Sequence, residues 1–291
     1  MTRLRRTLLF VPGSTPERIA KAVTSQADAV ILDLEDAVAP GEKARAREWV
    51  VAALRGVDFR GRERIVRVNP LDSPHGRADL EAVVPTGLDA LLVPKVSGPE
   101  ELGRVEAEVA RLEADAGLPA GRIRFHLLVE TVAGVARVSE LARGSARNAA
   151  LLFGAGDFVR ETRGRLTASR VSELHALTHL LLAARLGGLD AIDAPYFELG
   201  DPRGLEAHAR LAADLGYDGK AVIHPGQIEV VNAIFTPTPD AVANAHRVLE
   251  AYDRAQAAGA GALQLEGQLV DAVHVAMARD TLARARLAGV A

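Results

Sequence analysis

Eight short apolar runs recur along the chain, each ending in polar or charged residues and followed by a stretch with helical character. Such runs are typical of buried strands, and strands that alternate with helices indicate a parallel sheet. Eight repeats therefore predict an α/β fold, a parallel (β/α)₈ TIM barrel. The runs occupy residues 6–13, 28–38, 64–70, 88–96, 122–131, 149–158, 189–196 and 219–227.

A doubly wound sheet is the competing architecture. It needs fewer strands and a Gly-x-Gly-x-x-Gly turn after one of them, and the sequence contains no such turn. In a barrel, the functional residues gather at the carboxyl ends of the strands, which is where charged residues recur in this chain.

The chain continues beyond the eighth run. Thr238, Pro239 and Asp240 predict a helix cap, and the helix should extend to about Ala257. We expect a flexible loop over 258–268 and a last helix over 268–287. The predicted organisation is a catalytic barrel domain over 1–235 and a C-terminal helical extension over 236–291 that contributes to a subunit interface.

Composition excludes several classes of function. A net charge of −3 without a basic stripe argues against a nucleic-acid partner. The absence of cysteine excludes disulfides, thiolate metal sites and cysteine nucleophiles. Without a signal sequence or an apolar run long enough for a bilayer, the expected location is the cytoplasm, with no membrane partner.

Two of the apolar runs end on carboxylates, Glu130 and Asp157, the second behind glycines that allow close backbone approach. A carboxylate at the end of a buried strand is costly unless it is paired or metal-bound. Two of them suit Mg²⁺, which retains positions for water or substrate. The alternative is that each acid pairs with Arg67 or Lys95.

Arg67 follows the third run and offers a planar fork that matches a carboxylate. An ion pair with Glu35 or Asp36 is the alternative. The two interpretations are compatible, since an acid can orient the arginine that binds a substrate.

Two other chemistries compete with the magnesium site. Lys95 or Lys220 would make a metal-free aldolase if either formed a Schiff base, but that requires a depressed lysine pKa in apolar surroundings, and acids lie around both. His175 and His179 have the i, i+4 spacing of zinc ligands, although the sequence offers no third ligand nearby.

The ordered motifs LLFVPG, DLEDAV, RVN, VPK, VET with Gly134, FGAGD and KAVIHPGQ resemble the citrate lyase beta subunit (CitE-like) family. This family is part of the HpcH/HpaI aldolase superfamily of Mg²⁺-dependent carbon–carbon lyases. The resemblance runs from Arg6 to about Arg286, and its motifs fall at the ends of successive predicted strands.

The resemblance implies that Glu130 and Asp157 are the metal ligands. It also implies that Arg67 binds the carboxylate of an oxo acid, helped by backbone amides of Ala155, Gly156 and Asp157. Glu35 is similar to the family acid that supports the arginine or the proton path.

In related malyl-CoA lyases, an aspartate from an adjacent subunit acts as the acid, and the similar segment GQLVDAV here points to Asp271. The resemblance favours a homo-oligomer, preferably a trimer. Arg6, Lys43 and Lys220 are candidate contacts of CoA.

The implied reaction is cleavage of a citryl-, malyl- or citramalyl-type thioester, on CoA or a carrier protein, to a 2-oxo acid and an acetyl thioester, or the reverse condensation. Two alternatives stay open. One is a thioesterase acting on the same acyl-CoA. The other is a non-autonomous citrate lyase beta subunit that binds an oxo acid within a complex of partner subunits.

Overall fold

The computed structural model describes residues 3–291, and within them eight parallel strands form a closed barrel in sequence order. The barrel closes where Leu8 of the first strand pairs with Ala221 of the last. The predicted fold class is therefore confirmed. The strands are β1 (Thr7–Pro12), β2 (Ala29–Asp33), β3 (Glu63–Arg67), β4 (Ala90–Val93), β5 (Arg124–Val129), β6 (Asn148–Phe153), β7 (Asp190–Asp193) and β8 (Gly219–Val222).

The strands read as nearly continuous apolar runs because both of their faces are covered. Alternate residues point inward and fill the barrel, while the others pack against the surrounding helices. Phe10 packs partly buried against this interior. The interior cluster consists of Leu8, Ala29, Ile31, Ile65, Ala90, Leu92, Leu128, Ala150, Leu152 and Ile192.

The helices begin and end at residues that satisfy free backbone groups. The Asp201 side chain caps the helix that starts at Pro202, and Gly188 and Gly216 end helices with left-handed backbone conformations. The helices are α1 (Pro16–Ala22), α2 (Lys43–Gly56), α3 (Gly76–Val83), α4 (Pro99–Asp115), α5 (Val132–Ala136), α6 (Val138–Arg143), α7 (Ala155–Glu161), α8 (Leu174–Gly187), α9 (Pro202–Leu215), α10 (Ile228–Phe235), α11 (Pro239–Ala257) and α12 (Ala272–Leu287).

The chain forms two compact units, Arg5–Asn232 and Ala233–Ala291, the latter joined by Arg3 and Leu4. Within the second unit, α11 and α12 pack around Val248, Val275 and Leu282. In the part of the chain that the structure describes, no helix combines the length and apolarity needed to cross a membrane.

The predicted flexible loop over 258–268 is wrong in its second half. Leu263–Leu265 (β9) and Gln268–Val270 (β10) form an antiparallel hairpin. Glu266 and Gly267 connect them with φ values of 49° and 85°. Two consecutive left-handed residues suit the right-handed twist of a hairpin, so a Glu-Gly pair between short alternating segments was the missed signal.

Candidate active site

A cavity of about 500 Å³ lies at the carboxyl ends of the barrel strands. Four acidic side chains from the ends of three strands, β2, β5 and β6, line the cavity together with apolar residues that include Phe10 and Ile223. Besides these two, the cavity is lined by Asp33, Asp36, Ala37, Arg67, Leu128, Glu130, Leu152, Phe153, Gly154, Ala155, Gly156, Asp157, Arg160, Pro195, Phe197 and Ala221.

Asp33, the residue of β2 that pairs directly with Arg67 on β3, holds the arginine side chain. Arg67 Nε and Nη2 donate to the two Asp33 oxygens at 2.7 and 2.5 Å, and Nη1 lies 3.0 Å from Glu35 Oε2. Although burial favours the neutral form, the hydrogen bonds and charges of these acids raise the pKa of Arg67. The guanidinium also lies 5.2 Å from the centre of the Phe10 ring.

Sequence reasoning missed Asp33 as this partner. It paired Arg67 with Glu35 or Asp36, which follow the strand, whereas the two-pronged contact comes from the last residue of β2. The signal was available in principle, because residues at the same depth on adjacent parallel strands are neighbours. Glu35 does contact Arg67, and Asp36 Oδ2 lies 3.4 Å from Nη1.

Lys95 connects this arginine cluster to Glu130. Its Nζ donates to Glu35 Oε1 at 2.5 Å, and its backbone N–H donates to Glu130 Oε1 at 3.0 Å. Burial lowers the pKa of the ammonium, but the hydrogen bond and charge of Glu35 outweigh it, so the net pKa is raised. Lys95 has a φ of 54°, a strained backbone conformation for a side chain of this size. The strain orients the N–H toward Glu130.

Glu130 is 3% exposed and lies directly after β5. Burial, followed by the negative charges of Glu35 and Asp157, raises the pKa of its carboxyl to about 8. Gly154 packs against it, since an added Cβ would lie 2.3 Å from Glu130 Cβ and 2.8 Å from Oε2. A glycine is therefore required for the approach of β6 to this carboxylate.

Asp157 lies in the first turn of α7, the helix that follows β6. Its Oδ1 accepts hydrogen bonds from Arg160 at 2.9 and 3.2 Å, and its side chain is partly exposed to the cavity. Ala155 and Gly156 precede it at the start of the same helix, so their backbone N–H groups belong to the unpaired first turn. The structure thus brings the five predicted substrate-binding residues to one cavity.

The arrangement fits a divalent cation. Burial and the neighbouring acids disfavour the ionised form of Glu130, and a cation held between Glu130 and Asp157 would favour that form. Across residues 3–291, no cluster of three or more His, Cys, Asp or Glu side chains could hold a metal ion. Mg²⁺ in proteins is often bound by one or two carboxylates, with water and substrate in the other positions. The assignment of Glu130 and Asp157 as its ligands stays a prediction.

The Schiff-base alternative receives no support from the two lysines. Lys95 is held charged by Glu35. Burial lowers the pKa of Lys220 to about 8, yet its Nζ is fully buried outside the cavity lining, donating to Asp193 at 2.7 Å and to the Ala194 carbonyl. Neither amine is placed to attack a carbonyl in the cavity.

The candidate CoA contacts are not brought together. Lys43 is buried and donates to Leu34 O, Glu35 O and Asn69 Oδ1, and Lys220 is also buried, so neither ammonium is exposed to a ligand. Arg6 binds Asp28 at the amino end of β1, opposite the end that carries the cavity.

Asp271 lies in the second unit as the N-cap of α12. Its Oδ1 accepts from Val273 N at 2.9 Å and lies 2.8 Å from His274 Nδ1, forming a capping box. The hydrogen bond with His274 lowers the pKa of the exposed carboxyl.

A parallel (β/α)₈ barrel with two carboxylates and a buttressed arginine at its carboxyl end defines a class of barrel enzyme that acts on anionic carbonyl substrates. The HpcH/HpaI aldolase/citrate lyase family matches residues 6–225, and the family of C-C bond lyases of the TIM-barrel fold matches residues 169–290. The chain belongs to the HpcH/HpaI aldolase/citrate lyase family, which confirms the resemblance seen in its motifs.

Relatives with different activities are similar over nearly the whole chain. A (3S)-malyl-CoA thioesterase of Cereibacter sphaeroides is 39% identical over 96% of this chain and 94% of its own length. Citrate lyase subunit beta of Escherichia coli is 37% identical over 99% and 96%. The structure of the protein CitE from Mycobacterium tuberculosis with magnesium, acetoacetate and coenzyme A has a TM-score of 0.80 at 32% identity, covering 98% of this chain and 99% of that one.

Proposed function

We propose that this protein is a Mg²⁺-dependent carbon–carbon lyase. It cleaves a 3-hydroxyacyl thioester of the malyl, citramalyl or citryl type to a 2-oxo acid and an acetyl thioester, or runs the reverse condensation. The observation that carries the proposal is the meeting of Glu130, Asp157 and the buttressed Arg67 in one cavity. The structure of the related CitE with magnesium, acetoacetate and coenzyme A supports it.

Arg67 is suited to bind the carboxylate of the oxo acid. A guanidinium has five N–H donors, of which Asp33 occupies two and Glu35 lies against another. Asp36 lies 3.4 Å from Nη1, so one N–H of Nη2 is left without a partner among these acids, and a substrate carboxylate that displaces the exposed Asp36 side chain would gain a second donor on Nη1. Asp33 and Glu35 therefore orient the arginine without using up its capacity to bind substrate.

Glu130 and Asp157 would hold Mg²⁺, which when bound supplies a Lewis acid for the hydroxyl and carboxylate oxygens of the substrate. The backbone N–H groups of Ala155 and Gly156 point from the same helix start and assist in binding the carboxylate. Lys95 keeps Glu130 in place through its backbone N–H.

Proton transfer is assigned to Glu35 and Asp271. Glu35 is not among the residues that line the cavity. Its carboxyl lies between Arg67 and Lys95, and burial raises its pKa against the opposing charges of these two groups, which suits a supporting member of the proton path. Asp271, contributed by an adjacent subunit, is the proposed partner of the acetyl carbon. As an ionised group it takes the methyl proton during condensation, and the acid so formed is the one that cleavage requires.

The direct test is oxo-acid release from malyl-, citramalyl- and citryl-CoA, with Mg²⁺ and with a chelator. Metal-dependent release would support the lyase and identify its substrate. No release from any of the three by a folded protein that binds Mg²⁺ and an oxo acid would favour a carrier-bound substrate, as in a citrate lyase subunit working with partner subunits.

A thioesterase is the second candidate, because the Cereibacter sphaeroides relative carries that activity in its name. The products separate the two reactions. A lyase yields an oxo acid and retains the thioester, whereas a thioesterase yields a hydroxy acid and free CoA.

We also propose a homo-oligomer, with a trimer favoured and the extension over 236–291 at the interface. Exposed apolar side chains on α12 and beside it, Leu269, Val273 and Met277, each more than 60% exposed, support an interface there. The mass in solution tests this. An unchanged oligomer after removal of 258–291 would contradict it.

A further inference from the structure

The segment that follows β7 forms one wall of the cavity. Pro195 and Phe197 line it, and a Cβ added at Gly156 would lie 4.0 Å from Phe197 Cζ. This places the aromatic ring beside the start of α7, where Asp157 lies. Phe197 is 47% exposed.

Two side chains from the region of β8 hold this wall by its backbone. Lys220 Nζ donates to the Ala194 carbonyl, and Gln227 Nε2 donates to the Tyr196 carbonyl at 2.8 Å. Gln227 is itself fixed, since its Oε1 accepts from Ile223 N at 2.9 Å. With the carbonyls of residues 194 and 196 bound in this way, the alternate side chains Pro195 and Phe197 face the cavity.

The lysine anchor is stabilised by a buried ion cluster. Asp193 is the paired neighbour of Lys220 on β7, and it accepts hydrogen bonds from Lys220 at 2.7 Å and from Arg170 at 2.8 and 3.1 Å. All three side chains are fully buried. Buried charges with satisfied partners tolerate little displacement, so the backbone at residue 194 is held tightly.

A second, smaller cavity of about 130 Å³ lies on the other side of the same wall. It shares Ala155, Pro195 and Phe197 with the main cavity, so these residues separate the two spaces. Its lining combines apolar side chains with several polar ones, and its volume is sufficient for ordered water. That lining includes Thr167, Glu173, Tyr196, Glu198 and His208.

We infer that Phe197, with Pro195, determines reaction specificity by keeping water of the smaller cavity away from the thioester. This inference rests on the proposed function. Lyase cleavage breaks a carbon–carbon bond and moves the hydroxyl proton to the acetyl carbon without consuming water. Hydrolysis adds one water across the carbon–sulfur bond and releases a hydroxy acid and the CoA thiol. Lys220 and Gln227 act as positioning residues of the wall.

The test measures oxo acid and free thiol formed in the same reaction, using whichever of the three thioesters the wild type cleaves. Phe197→Ala should raise the ratio of thiol to oxo acid by about tenfold, because it joins the smaller cavity to the catalytic one. Gln227→Leu should shift the ratio in the same direction by less. Leu199→Ala is the matched control, since Leu199 is 58% exposed on the same segment but does not line either cavity.

The product ratio does not depend on how much of the enzyme is folded, so loss of stability cannot produce the shift. An unchanged ratio in Phe197→Ala would overturn the inference and leave the lyase intact. If Phe197→Ala is inactive, Gln227→Leu and Phe197→Val decide the same question. If the wild-type protein forms only thiol and hydroxy acid, both proposals fail: the lyase activity and the exclusion of water by Phe197 and Pro195.

Discussion

Asp33 and Arg67 form a two-pronged ion pair across the ends of β2 and β3, with distances of 2.7 and 2.5 Å. The pair is buried, with Asp33 1% exposed. It fixes the plane of the guanidinium, so that the side chain is oriented before substrate arrives. Preorganised charge of this kind requires little rearrangement during the reaction.

Arg67→Lys should lower kcat/KM for oxo-acid release by about 100-fold, because an ammonium cannot bind Asp33 and a substrate carboxylate with two parallel pairs of hydrogen bonds. Steady-state kinetics with the wild-type substrate measure the effect. Arg64→Lys is the matched control. Arg64 lies on the same strand as Arg67 but pairs with Asp89 outside the cavity. Equal losses in both variants would refute the role of Arg67.

Glu130→Gln and Asp157→Asn should each abolish detectable Mg²⁺ binding and reduce oxo-acid release by about 100-fold or more, because each removes a charged oxygen ligand. Calorimetric titration with Mg²⁺ and the release assay provide two independent measurements. Glu140→Gln, at an exposed site on α6, should change neither. Full metal-dependent activity in Glu130→Gln would exclude it as a ligand.

Gly154→Ala should disrupt the site, because the new methyl group would lie 2.3 Å from Glu130 Cβ. The variant should lose Mg²⁺ affinity and about 1–3 kcal/mol in free energy of unfolding. Gly103→Ala, in α4 with no atom within 4 Å of the added Cβ, should be at least as stable as the wild type. Unaltered Mg²⁺ affinity in Gly154→Ala would show that the close approach is dispensable.

Asp271 combines a structural role with the proposed catalytic one, and two substitutions separate them. Asp271→Asn should preserve the thermal unfolding temperature, because asparagine caps helices as well as aspartate does, yet lower kcat by about 100-fold. Asp271→Ala should lower both. If Asp271→Asn retains the wild-type kcat, Asp271 does not take part in the proton transfer.

Glu113 provides a prediction for acid stability away from the site. Burial opposes its ionisation, but hydrogen bonds from Arg147 and from the N–H groups of Ile123 and Gly121 lower the pKa of the carboxyl. A lowered native pKa stabilises the fold above the unfolded value of about 4.3, and this contribution is lost as the pH falls through the native value.

Glu113→Gln should therefore cost about 2–4 kcal/mol in free energy of unfolding at pH 7, because the buried Arg147 loses its closest counter-charge and keeps only Glu106 at 3.6 Å. The difference from wild type should shrink as the pH falls below about 4. Urea denaturation at a series of pH values measures it. A difference that stays constant down to pH 3 would contradict the assignment.

Much of the barrel was predictable because each strand and helix carries a local pattern. The apolar run before Glu130 and the run before Asp157 proved to be adjacent strands, and these two acids share one cavity with Arg67. The hairpin over 263–270 was missed because its strands are only three residues long and mostly exposed, so hydrophobic alternation is weak there.

The lysines illustrate the limit of local patterns. Lys43, Lys95 and Lys220 look alike in sequence, each close to acids and strand ends. In the structure each has a different role. Lys43 donates to backbone carbonyls, and Lys95 connects Glu35 to Glu130. Lys220 is fully buried and donates to the Ala194 carbonyl. Which partner an ammonium meets depends on the elements packed around it.

By itself, the sequence determined the strand and helix order, the barrel and the positions of the acids at the strand ends, since all of these follow from periodicity along the chain. Only the tertiary structure decided that Asp33 rather than Asp36 holds the fork of Arg67, and that Gly154 packs on Glu130. Those contacts join residues distant in the chain, and their geometry depends on strand register and on the direction in which each side chain leaves the barrel wall.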